Sequence, residues 1–187
     1  MTQSDACGDL REKLTVLTLS HTTGAWSWIP LRQTWANIAP AKGQTIFSRV
    51  GTGAPGVSLV CRKQSIRPGQ LLQWKDQYIY PVAVRSRGLT HLEVDGAIVQ
   101  LSACCASPDA QPPGARFPAI LTEKYLKHEQ EDPYSVNDLT YVLVTPPEIM
   151  LRPGTLVQVD ALNYEVLVVH ALDPSKREYE INRRGDL

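Results

Sequence analysis

Two stretches of the chain read as copies of one another. Ile66–Val84 (IRPGQLLQWKDQYIYPVAV) and Leu151–Val169 (LRPGTLVQVDALNYEVLVV) each set an apolar residue before Arg-Pro-Gly. A short apolar run with Gln follows, then a polar turn, a Tyr and a second β-branched run. The copies begin 85 residues apart, and aligning Tyr78 with Tyr164 needs a one-residue slip in the turn, which hairpin loops accommodate. A unit used twice favours a paired β-architecture over a single catalytic fold. Tyr78 and Tyr164 are then expected to be equivalent, each buried with its hydroxyl on a backbone partner.

Strand patterns dominate the rest of the chain. Leu14–Leu19 (LTVLTL) alternates apolar residues with Thr, HTTGA supplies turn residues, and AWSWIP begins the return. Leu31–Ile38 places Leu31, Gln33, Trp35 and Asn37 on one face. Residues 41–56 hold four Gly and one Pro and read as a long exposed loop. Val57–Arg62 and the first repeat copy supply further strands, and Leu89–Val94 and Ala97–Leu101 read as a hairpin turning at Asp95-Gly96. Residues 107–118 (SPDAQPPGARFP) carry four Pro and read as a linker, and Ala119–Gln130 spaces Ile120, Leu121 and Tyr125 as a helix would. Strands resume at Leu139–Thr145, Thr155–Val159, Tyr164–His170 and Glu178–Arg183. The expectation is an all-β chain of small β-barrel type: two tandem barrel-like units joined by a Pro-rich linker, with one short helix. The N-terminal barrel covers 10–106 with the loop 41–56, the linker 107–118, and the helix plus second β unit 119–187.

Lys and Arg together number 19, as do Asp and Glu, and this neutrality argues against autonomous nucleic-acid binding. No apolar run is long enough to span a bilayer and the polar start MTQSDACGDLREK lacks a secretory core, so a soluble protein made in a cytoplasm is expected. Cys7, Cys61, Cys104 and Cys105 show no CxxC spacing; the adjacent pair reads as reduced core or strand-end residues.

Catalytic patterns fail one after another. HExxH, GxSxG and a phosphate-binding Gly loop are absent, and His21, His91, His128 and His170 are never three or four apart. His170 beside Asp173 reads as a strand-end histidine. No enzyme activity, cofactor or metal is expected. Lys176, Arg177, Arg183 and Arg184 form the one basic cluster, either a solvated strand edge guarded against aggregation or a patch facing another subunit or DNA. Of the four tryptophans, one or two are expected to fill a barrel interior. Trp26 and Trp28 share a face beside a turn, as interface residues do.

The order LTVLTL, turn, LRQTWANIAPAKG, glycine-rich loop, VSLVCR, IRPGQLLQW, turn, YIYPVAV resembles the small β-barrel head-tail connector proteins of tailed bacteriophages, the adaptor and head-closure (stopper) group. Trp35, Ala36 and Ile38 match a Trp-Ala-x-Ile strand leading into the long loop, and 151–187 resembles the C-terminal half of such proteins. The resemblance covers about residues 10–105 and part of 139–187. It implies a structural protein forming a homo-oligomeric ring, with a portal or adaptor protein on one side and a tail or tail-completion protein on the other. DNA would pass only through the lumen, no membrane would be involved, and assembly in the host bacterial cytoplasm would place the protein in the virion. It also implies that the 41–56 loop, with Phe47 and Arg49, reaches a neighbour or the channel. The competing expectation is a monomeric SH3- or OB-like module binding a peptide, glycan or nucleic acid.

Overall fold

A computed structural model describes residues 10–41, 54–107, 114–123 and 140–184. They form β1 (Glu12–Thr22), β2 (Ala25–Pro40), β3 (Gly56–Arg62), β4 (Leu71–Trp74), β5 (Gln77–Arg87), β6 (His91–Val99), β7 (Ser102–Ala106), β8 (Arg116–Glu123), β9 (Thr140–Thr145), β10 (Leu156–Val159), β11 (Leu162–His170) and β12 (Arg177–Arg183). The chain is all-β, and no helix occurs among the described residues. The strands gather into two compact units; of the described residues, 10–20, 28–41 and 54–100 belong to the first and 21–27, 101–107, 114–123 and 140–184 to the second.

In the first unit the strands follow the order β1-β4-β5-β6-β3-β2, and β2 returns to β1 to close a circuit of six. Alternation sends Leu14 and Val16 of β1, Ala36 of β2, Leu59 and Cys61 of β3, Leu72 of β4, Ile79 of β5, and Leu92 and Val94 of β6 into one core, each at most 6 % exposed. In the second unit the order is β8-β7-β10-β11-β12-β9, and β9 returns to β8. Its core includes Phe117, Leu143, Val157, Tyr164, Val166, Tyr179 and Ile181. Buried Tyr179 is fully satisfied, donating to Ile149 O at 2.7 Å and accepting from Leu151 N at 3.2 Å.

Taking β7 for β1, β8 for β2 and so on, the two circuits have the same strand order. The Arg-Pro-Gly motif explains part of the match. In each copy Pro presets the first central φ of a tight turn and Gly supplies the left-handed second one, +88° at Gly69 and +84° at Gly154. The next residue closes the turn, Gln70 N donating to Arg67 O at 3.2 Å and Thr155 N to Arg152 O at 3.0 Å. Its side chain then accepts from the Arg amide, at 3.0 Å for Gln70 and 3.3 Å for Thr155. The apolar residue ahead of the motif, Ile66 or Leu151, is buried in each unit. Downstream, β5 is irregular between Pro81 and Ala83 and β11 between Val166 and Val168, the same place in each copy.

The ladders remove the slip expected between the tyrosines. Gln73 pairs with Tyr78 and Leu72 with Ile79, whereas Gln158 pairs with Asn163 and Val157 with Tyr164. Tyr78 therefore corresponds to Asn163, and Tyr164 to Ile79. A shift of one residue reverses the face, so Tyr164 is 3 % exposed in its core while Tyr78 is half-buried.

Three further expectations change. Asp95-Gly96 is not a turn: β6 runs through it, Asp95 facing Ser58 and Gly96 facing Val57. Glycine is required there because a Cβ would lie 2.8 Å from Ile79 Cγ2 and 2.8 Å from Tyr80 O; the β5–β6 reversal falls instead at Gly88, φ +65°. Residues 119–123 are the second half of β8 rather than a helix, because Ile120–Glu123 pair with β9 and the long-range ladder overrides local helical spacing. The rest of the expected helix lies outside the described residues. The Pro-rich stretch is not a linker between units either. Ser102–Ala106 belong to the second unit as β7, Arg116–Pro118 are in β8, and Ala106 N donates to Ala115 O at 2.9 Å, so 107–115 connects two strands of one unit. Pro118 is tolerated inside β8, opposite Ala103.

Gly96→Ala is expected to cost about 2 kcal/mol or more, because the backbone carbonyl of Tyr80 cannot yield to the new methyl group. Tyr164→Ala should cost about 3–4 kcal/mol and Tyr78→Ala less than half of that, in line with their burial. Urea denaturation of the three variants measures all of these, and equal losses for the two tyrosines would contradict the register.

Candidate functional site

The residues singled out from sequence do not converge on one site. Phe47 and Arg49, with most of the 41–56 loop, lie outside the described residues; the flanks are tied by Ala41 N donating to Gly56 O at 2.9 Å. Trp26 belongs to the second unit, where its ring lies 4.6 Å from that of His21. Trp28 belongs to the first unit, half-buried, with its indole nitrogen buried and without a hydrogen-bond partner. Trp74 donates to Glu12 Oε2 at 2.8 Å and stacks under Lys75 Nζ at 4.8 Å. That hydrogen bond, with Lys75 beside it, holds the Glu12 carboxyl below its ordinary pKa.

The basic cluster is dispersed within the second unit. Lys176 is 7 % exposed and paired with Glu178 at 2.6 Å. Arg177 Nε donates to Pro147 O at 2.8 Å, and Arg184 Nε to Glu165 Oε2 at 2.8 Å. Arg183 is exposed and stands opposite Tyr164 in the ladder. β12 is hydrogen-bonded to β11 on one side and β9 on the other, so the solvated-edge reading of these residues is corrected: the strand has no free edge. His170 meets Glu180 at 3.0 Å rather than Asp173, whose carboxylate caps Ser175 N at 2.8 Å.

The first unit presents a more coherent surface. On the outward face of β2, Ile29 is 43 %, Leu31 51 % and Trp35 56 % exposed, while the alternate residue Ala36 fills the core. Sequence alternation had set Leu31, Gln33, Trp35 and Asn37 together; the structure turns that face to solvent. A cleft of about 490 Å³ opens beside it, lined by Leu10, Gln33, Thr34, Trp35 and Arg62. From Arg62 a transverse row continues across the sheet, because Arg62 pairs with His91 in β6 and His91 with Arg87 in β5. Directly paired residues share a face. The next row on that face brings Glu93 opposite Arg85, which also binds Asp95. Sequence reading missed the row Arg62, His91 and Arg87 because its members lie on three strands and no local spacing marks them.

Among the described residues no group of three or more His, Cys, Asp or Glu could hold a metal ion. Cys61, Cys104 and Cys105 are free thiols. Burial pushes the Cys104 thiol up to about 12, with Asp160 and Cys105 adding to the effect, and burial also raises Cys61. Comparison with known proteins gives no match among family models, curated proteins or solved structures.

At about pH 8, Ellman's reagent should leave Cys61 and Cys104 unmodified in the folded protein and titrate both in guanidinium, since buried protonated thiols do not attack. Mass spectrometry of the modified peptides identifies the sites, and rapid native modification of Cys104 would contradict its burial.

Proposed function

We propose that this chain is a structural component of a tailed-phage head-tail connector: two tandem barrel-like units in one chain, assembling into a ring between portal or adaptor and tail. The carrying observation is the outward face of β2, where Ile29, Leu31 and Trp35 stand exposed in one row. Several large apolar side chains left in water on one strand face are costly and mark protein contact. The closed strand circuits support the same reading. With both edges of each sheet paired, association must use side chains on a face rather than strand addition. The resemblance of 10–105 to the adaptor and stopper group supplies the particular partners. The cleft beside Trp35 favours a second reading, a monomeric module that takes a peptide.

Light scattering coupled to size exclusion, alone and with purified portal rings, separates the two. The connector reading expects an oligomer or a portal-bound complex, lost in Leu31→Ser/Trp35→Ala with circular dichroism unchanged. A chain that stays monomeric under both conditions contradicts it.

A further inference from the structure

The second unit carries an apolar face of its own, and the irregularity in β11 produces it. Val166 pairs with Ile181 and Val168 with Glu180, so Leu167 is the extra residue between them. Val166 and Ile181 fill the core, whereas Leu167 is 45 % and Val168 42 % exposed. On β10, Val157 points inward and Leu156, opposite Glu165, is 47 % exposed. Leu156 therefore lies about 7–8 Å from Leu167 on the diagonal of the outer face. The charges bordering this spot are paired within the fold, Glu165 with Arg184 and Glu180 with His170. An apolar centre whose polar rim is already satisfied suits an apolar occupant.

The two units do not share their apolar faces. In the first unit the residues corresponding to Leu156, Leu167 and Val168 are Leu71, Val82 and Ala83. Leu71 is fully buried, so Val82 lacks the exposed neighbour that Leu156 gives Leu167. Conversely β8, the counterpart of β2, buries Phe117, Ala119 and Ile120 and leaves no large apolar side chain exposed among its described residues. The β2 face itself is uncharged, since Ile29, Leu31, Gln33, Trp35 and Asn37 alternate along it.

We infer that copies of this chain associate front to back, the outward β2 face of one copy packing on the outward β10–β11 face of the next. The inference rests on the proposed ring and names the lateral contact that builds it. A two-fold contact joins like faces and leaves the other kind in water. A front-to-back contact covers both kinds at once and repeats from copy to copy until the ring closes.

The test uses the full chain and light scattering coupled to size exclusion. Leu31→Ser/Trp35→Ala on β2 and Leu156→Ser/Leu167→Ser on β10–β11 should each turn the wild-type oligomer into a monomer, weakening the contact about tenfold or more. An equimolar mixture of the two variants should form a complex of two chains, because one supplies an intact β10–β11 face and the other an intact β2 face. A variant carrying all four substitutions should join neither. Circular dichroism verifies folding, and Leu167→Lys alone replaces the β10–β11 variant should that one not fold. An unchanged oligomer in the β10–β11 variant, or a mixture that stays monomeric, overturns the inference and leaves the connector role standing. A wild-type chain that is monomeric alone also overturns it, even where that chain binds portal rings; one that ignores portal rings as well takes the connector role with it.

Discussion

Closing six strands on themselves is the constraint from which the rest of each unit follows. Once the last strand is bonded to the first, every strand has a neighbour on each side and the sheet acquires an interior that side chains must fill. Register becomes rigid, because a slip of one residue would expel a core set such as Leu59 and Cys61 and bury its polar alternates. The Arg-Pro-Gly turns set where β4 and β10 begin. The irregularities in β5 and β11 set where those strands bend to complete the circuit.

Much of this was legible in the chain, and what was not has identifiable causes. The duplicated motif reports a true equivalence because Pro and Gly encode their turn locally, through φ, whatever surrounds them. Tyrosine misled because the eye aligned like residues while the backbone kept a constant spacing, giving an aromatic to opposite faces in the two copies. Asp95-Gly96 is locally a good turn, but its glycine answers a demand from the neighbouring strand that nothing nearby in sequence reveals. The Pro-rich stretch 107–118 was read as a linker, yet Arg116–Pro118 belong to β8, because their pairing with β7 is set by partners that no local spacing marks. On the functional side, alternation grouped Leu31 with Trp35 but not which way that face turns, which the packing of Ala36 decides, and the row Arg62, His91 and Arg87 exists only after folding.

The two copies keep one backbone plan and diverge in chemistry. Beside the irregularity, Arg85 of β5 binds Asp95 of β6, and the corresponding residues of the second unit are His170 and Glu180. The second is an ion pair only while the imidazole is protonated. Both are partly exposed, so neither is a large source of stability. Similarly, Ile79 gives way to Tyr164 and Val94 to Tyr179, so at these two positions the second core takes larger side chains, and Tyr179 places its hydroxyl on the 149–151 connection.

Two copies of one strand order in a single polypeptide also pose a kinetic hazard. While the chain is unfolded, β1 faces two strands of suitable length and turn context, β4 and β10, and a hairpin from one copy can be captured by the other. Such a swapped intermediate would satisfy backbone bonding but not the cores, since Trp74 and Val159, or Ile79 and Tyr164, differ too much in volume to exchange places. The side-chain differences between the copies thus make each strand fit its own core better than the other's.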